Sequence, residues 1–86
     1  MVKMRAKMKV GSVNVYRDEQ GKTLSESLAF YGVSKSTPYP ADGSDEDNTF
    51  AKFSPSVELR ITIANPDLFG MYAPGDTFYV DFTPAS

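Results

Sequence analysis

The stretch "VKMRAKMKVGSVNV", residues 2–15, decides the fold class of this chain. Val2, Met4, Ala6, Met8 and Val10 take one parity, and Lys3, Arg5, Lys7 and Lys9 take the other. Side chains on a strand alternate between its two faces, so the pattern predicts a strand with one apolar and one cationic face. On a helix the same residues would scatter the four cations around the axis. After Gly11-Ser12 the apolar parity switches to Val13 and Val15. One extra residue inverts the faces, so a β-bulge is expected at Gly11-Ser12. Long, bent first strands of this kind help a small sheet curl into a barrel.

Outward from this strand, "RDEQGK" reads as a hairpin turn in which Gly21 supplies positive φ. Thr23 to Lys35 is ambiguous by period: Leu24, Leu28 and Tyr31 fit a helix face, while Leu28 and Phe30 fit a strand face that carries Glu26 as an outlier. The preceding turn, together with Phe30, Tyr31 and Val33, favours a strand. "STPYPADGSDEDNT" is a loop, broken by Pro38, Pro40 and Gly43. "FAKF" is read as one short turn stopped by Pro55. "SVELRITIAN" alternates again, with Val57, Leu59, Ile61 and Ile63 inward. "NPDLFG" predicts a helical turn with Asn65 as N-cap, Pro66 at its first position and Gly70 at its end. "APGD" fits a type II turn. "TFYVDF" is a last strand, with Phe78, Val80 and Phe82 on one face and Tyr79 and Asp81 on the other. The expected fold is mainly β, a single domain over 1–86: a small antiparallel β-barrel or sandwich of about four main strands with one or two short helical turns. The strand order stays open.

Composition narrows the chemistry. At 86 residues a single core is only just sufficient. With no cysteine and no histidine, the chain lacks a disulfide staple, a thiolate and the commonest general base and metal ligand. Small β domains without such staples often gain stability by oligomerising. No nucleophile elbow, P-loop or dinucleotide fingerprint occurs, so the expectation is a non-enzymatic protein without a cofactor. Residues 1–10 lack an apolar secretory core, and no apolar run approaches the ~20 residues of a membrane span. A net charge of -2 argues against general nucleic-acid binding and leaves room for a local basic patch.

Two features carry candidate sites. The first is "DGSDEDNTF", residues 42–50, with four carboxylates at Asp42, Asp45, Glu46 and Asp47. An EF-hand starting at Asp45 would need glycine at its sixth position and an acid at its twelfth, where this chain has Phe50 and Ser56. A looser calcium or magnesium site on Asp42, Asp45 and Asp47 is conceivable, whereas a glycosidase pair is not, because neighbouring acids on one loop do not flank a sugar. The plainer reading is a solvated loop in which Asp45 or Asp47 caps a turn at 50–53. The second feature is the stripe Lys3, Arg5, Lys7 and Lys9. It could grip phosphates, although the sequence alone does not place the stacking aromatics Tyr16, Tyr31 or Tyr79 beside it; the plainer reading is an edge or outer strand kept soluble by lysine. A third reading joins the two: the basic strand of one subunit meets Asp45, Glu46 and Asp47 of the next. Lys3, Arg5, Lys7, Lys9, Asp45, Glu46, Asp47 and Tyr79 are thus the candidate binding residues. Asn65-Pro66 and Pro74-Gly75-Asp76 are explained by turn chemistry alone.

The segments "MRAKMKV", "DEDNTFAKFSPS", "ITIANP" and "PGDTFYVDFTPA" together resemble a family of short uncharacterised proteins of tailed bacteriophages. The similarity spans most of the chain and is weakest over 14–40. It implies a phage protein made in bacterial host cytoplasm, and brings no catalytic residue or ligand with it. Phage proteins of this size usually work by binding. Two roles follow as expectations: a virion accessory subunit of the decoration type, assembling with itself or a phage structural protein, or an antagonist of host defence. The antagonist would sequester a signalling nucleotide or block a defence protein.

Overall fold

A computed structural model describes residues 3–85. Val2 of the opening pattern lies outside them. Its strands are β1 (Arg5–Arg17), β2 (Thr23–Gly32), β3 (Glu58–Ile63) and β4 (Thr77–Asp81), all antiparallel in the order β3-β2-β1-β4. The first strand is therefore central, flanked by β2 and β4, which corrects the edge-strand reading of its lysines.

The expected bulge is present. Val10 faces Phe30 and Ser12 faces Ala29, so Gly11 is the unpaired residue and Val13 falls opposite Leu28. Met8, Val10, Val13 and Val15 thereby stay on one face despite the change of parity. Gly11 is also where the Tyr31 ring crosses the sheet: a Cβ there would lie 3.1 Å from that ring. Asp18 closes the β1–β2 hairpin, accepting from the Gln20 and Lys22 amides at 2.9 Å each.

Ala6, Met8 and Val10 of β1, Leu28 and Phe30 of β2, and Ile63 of β3 form the core. Full burial of a side chain such as Met8 or Leu28 stabilises by about 2 kcal/mol. Residues 64–76 cross this apolar face as a flap from β3 to β4. A single 3-10 turn, Pro66–Leu68, starts it, with Asn65 Oδ1 accepting from the Asp67 amide at 3.0 Å. Leu68, Phe69 and Tyr72 pack down onto the core. The Ala73–Asp76 turn closes through Asp76 N–H to Ala73 O at 3.0 Å, with Gly75 at φ 96°. Glu26, the outlier in the β2 pattern, is buried on this same face, where its carboxylate oxygens accept from the Gly70 amide at 3.0 and 3.2 Å. It staples the flap.

The sheet does not close, and the described residues contain no second sheet, so the expected barrel or sandwich gives way to an open sheet. Four strands are too few to wrap a packed interior. The β3–β4 connection lies over the apolar face, and the outer edges of β3 and β4 stay free among the described residues. The expected turn at 50–53 is also corrected. Ala51 N–H bonds Asn48 O at 3.0 Å, Lys52 bridges back to Ser44, and Phe53 sits at φ 65° with its ring over Gly43. Gly43 itself has φ 74°, and a Cβ there would overlap the Phe53 ring, so both the backbone and the close approach require glycine.

Candidate functional site

β2 pairs with β1 only as far as Met8–Gly32. From Lys7 back to Lys3, that side of β1 needs other partners for its backbone groups. The acidic loop supplies them. Asn48 Oδ1 accepts from Lys7 N–H at 2.8 Å, and Asn48 Nδ2 donates to Val33 O at 2.8 Å. Val33 N–H donates to Lys7 O at 2.9 Å. Thr49 N–H donates to Arg5 O at 3.0 Å, and Thr49 Oγ1 accepts from Arg5 N–H at 2.9 Å while donating to Lys3 O at 2.7 Å. Two residues of the loop thus continue the sheet where β2 leaves it.

Asp45 holds these two in place. Its Oδ1 accepts from the amides of Asp47 (2.9 Å) and Asn48 (3.1 Å), and its Oδ2 accepts from Asn48 Nδ2 at 3.1 Å. Asn48 is 0% exposed and Asp45 is 4% exposed, so the core of the acidic stretch is interior, not solvated as the plainer reading had it. The turn that Asp45 caps runs from 45 to 48, ahead of the expected 50–53. Burial pushes the Asp45 carboxyl up, but the hydrogen bonds from Asn48 and Asp47 outweigh it and hold the group below its ordinary value.

The side chains above this scaffold pair within the chain. Arg5 forms a two-pronged bond to Asp81, Nε–Oδ1 at 2.6 Å and Nη2–Oδ2 at 3.1 Å, and lies 4.5 Å from the Tyr79 ring centroid. The guanidinium's hydrogen bond holds the Asp81 carboxyl below its usual range. Asp47 receives Lys7 Nζ at 3.5 Å and the Tyr79 hydroxyl at 3.0 Å, and that hydrogen bond raises the Tyr79 phenol above its ordinary value. Glu46 is paired with Lys35 at 3.2 Å and is lowered, first by its own backbone amide and then by Lys35. Asp42 accepts from the Ser44 amide at 3.0 Å, which lowers it.

Seven of the eight candidate residues therefore meet around one end of the sheet. Lys3 joins Arg5, Glu46 and Asp81 at a shallow cleft, where two cations face two carboxylates and no net charge is left to select an anion. Lys9 stands apart, opposite Tyr31 and Thr77, and makes no ion pair among the described residues. The basic strand and acidic loop meet inside one chain, where the joined reading placed them across subunits. No group of three or more Asp or Glu side chains is arranged to hold a metal ion among the described residues. Asn48, Thr49, Lys35 and Asp81 were not singled out from sequence. Only Asp81, on the cationic parity's neighbouring strand, had a visible signal; the partners of Asn48 lie 15 and 41 residues away.

The opposite, apolar face holds a second concavity of about 270 Å³. Leu59 and Ile61 of β3 and Phe78 and Val80 of β4 form its sides, and Leu68 and Tyr72 of the flap overhang it. Both edge strands of the open sheet thus line one apolar trough.

No protein-family model, curated protein or solved structure matches the chain. The described residues form a small antiparallel β domain in which no helix is long and apolar enough to cross a membrane.

Proposed function

We propose that the chain is a non-enzymatic binding subunit encoded by a tailed phage, acting as a decoration-type accessory of the virion. The observation that carries this reading is the face of the sheet opposite the flap. Tyr16, Tyr31 and Tyr79 are all exposed there, with Lys9 and the exposed Arg60 among them. Tyrosine and arginine are the residues enriched where proteins bind one another, because each offers a large rigid surface with a polar tip. Mass spectrometry of purified particles is expected to find the protein in stoichiometric amount. Its absence from intact virions overturns the reading.

One observation favours a second reading, sequestration of a signalling nucleotide in the host cytoplasm. Lys9 is Tyr31's register partner across β1 and β2 and has no carboxylate partner among the described residues, so a cation and an aromatic on adjacent strands could take phosphate and base together. Calorimetric titration with cyclic dinucleotides would show binding that Lys9→Ala abolishes, and no heat across the panel removes this reading. Blocking a defence protein by charge mimicry is supported least, since Asp45 is buried and Asp47 is occupied by Lys7 and Tyr79.

A further inference from the structure

We infer that the apolar trough and its rim form a two-fold interface with a second copy of this chain. The proposal concerns the face opposite the tyrosines and goes beyond the function proposed above. It holds whether the protein works on a particle or free in the cell.

The described residues span only 16 Å in their thinnest direction, one sheet and its partial flap. Stable domains bury an apolar sheet face under a second layer, and here the flap supplies only part of one. Ile61 remains 46% exposed and Phe82 51% exposed. By parity Phe82 continues the row of Phe78 and Val80, and its N–H to Met4 O bond of 3.0 Å sets it beside Met4, also exposed. Val15 is exposed at the other end of the face. At roughly 100 Å² for each half-exposed large side chain, with the trough walls added, the open apolar surface is on the order of 500 Å². That is about the apolar share of the ~800 Å² each partner contributes to a standard interface.

Charge selects the occupant. On this face the strands carry Glu26, which is buried against Gly70, and, by the parity of Val13 and Val15, the exposed Arg17 at the hairpin end of β1. A two-fold contact sets each residue near its own copy or near a partner that sees it reciprocally, so any exposed charge risks facing its like. The patch of Ile61, Phe82 and Met4 carries no charged side chain of its own and meets that condition at no electrostatic cost. A foreign partner would be steered by complementary charge, and the side chains of this patch offer none. Rim residues Ile61 and Phe82 of one copy would enter the trough of the other.

Sedimentation velocity from about 1 to 100 μM tests the inference, with a dimer expected. Ile61→Asp and Phe82→Asp should each weaken it at least about 100-fold, whereas Thr62→Asp, next along β3 but on the other face, should leave it unchanged. The chain has no cysteine, so a nitroxide can be placed at Ile61→Cys or Thr62→Cys alone. The label at position 61 should be immobilised on dimerisation and the one at position 62 should stay mobile. This readout survives if Ile61→Asp fails to fold. A monomer throughout the range, or a dimer that immobilises the label at 62 and not at 61, overturns the inference. Neither result bears on whether the protein is found in virions.

Discussion

The two faces of the sheet end differently. On the cationic face the stripe of β1 meets its complement inside the chain: Arg5 has Asp81, Lys7 has Asp47, and the backbone beneath them has Asn48 and Thr49. On the apolar face a flap of a dozen or so residues covers the centre and leaves Ile61 and Phe82 half exposed. Polar groups are satisfied one by one by short-range, directional bonds, so the stretch 42–50 and Asp81 suffice. Apolar surface is satisfied only by area, and 86 residues do not provide enough of it. The proposed self-association therefore falls on the apolar face, and the charged end serves as internal structure.

The most direct way to break this contrast is Asn48→Ala. It strips partners from Lys7 N–H, Val33 O and one Asp45 oxygen at a site without water access. At ~1–3 kcal/mol for each buried group left unpaired, a loss of about 3 kcal/mol is expected in urea unfolding, a large part of a small domain's stability. A loss under ~0.5 kcal/mol would mean that the loop does not complete the sheet. Asp45→Asn follows, at about 2 kcal/mol near pH 7, because an amide cannot accept from all four donors, the Asp47 and Asn48 amides, Asn48 Nδ2 and the Tyr39 hydroxyl. The acid dependence has a defined sign. The folded Asp45 carboxyl titrates below its ordinary value near 3.9, so its contribution is fully present above that pH and is lost as pH falls through the folded value. Melting temperatures of the wild type and Asp45→Asn should converge between about pH 5 and pH 2. A constant gap would assign the loss to packing, not to the carboxylate.

The strands were legible in the sequence because alternation is local: "VKMRAKMKV" announces its two faces within nine residues, and the parity switch marks the bulge at Gly11. The barrel was not, since closure depends on whether β3 and β4 pair, and nothing local in either strand reports that. The acidic loop misled for a related reason. Four carboxylates look solvated, but Asp45 is fixed by Asn48, and Asn48 by backbone groups of β1 that are free only because β2 ends at Gly32. Glu26 offered a usable signal, as an acid on an apolar parity is costly unless a donor meets it. The donor, the Gly70 amide, is 44 residues away and invisible from the strand.

Glu26 gives a smaller test, now on the apolar face. Glu26→Gln keeps an acceptor for the Gly70 amide but removes the charge that strengthens the bond. A cost of about 1 kcal/mol is expected, seen as roughly fivefold faster hydrogen exchange at the Gly70 amide while the amides of β1 are unaffected. Equal acceleration at both places would show that flap and sheet open as one unit.

The smallest effect is expected where the contact looks strongest. Arg5 and Asp81 make a 2.6 Å two-pronged pair, yet both side chains are more than two-fifths exposed. Water and salt screen such pairs, and holding two long side chains costs entropy, so a double-mutant cycle with Arg5→Ala and Asp81→Ala should give a coupling far smaller than the loss on Asn48→Ala. The coupling should shrink further in 0.5 M salt, where the Debye length falls below about 5 Å. The stacking of Arg5 on Tyr79 persists when Asp81 is removed, so Arg5→Ala alone should cost slightly more than Asp81→Ala alone. A coupling as large as the loss on Asn48→Ala would overturn the ranking. It would mean that this end of the sheet is held by its surface charges, with the buried Asp45–Asn48–Lys7 chain of hydrogen bonds only following their lead.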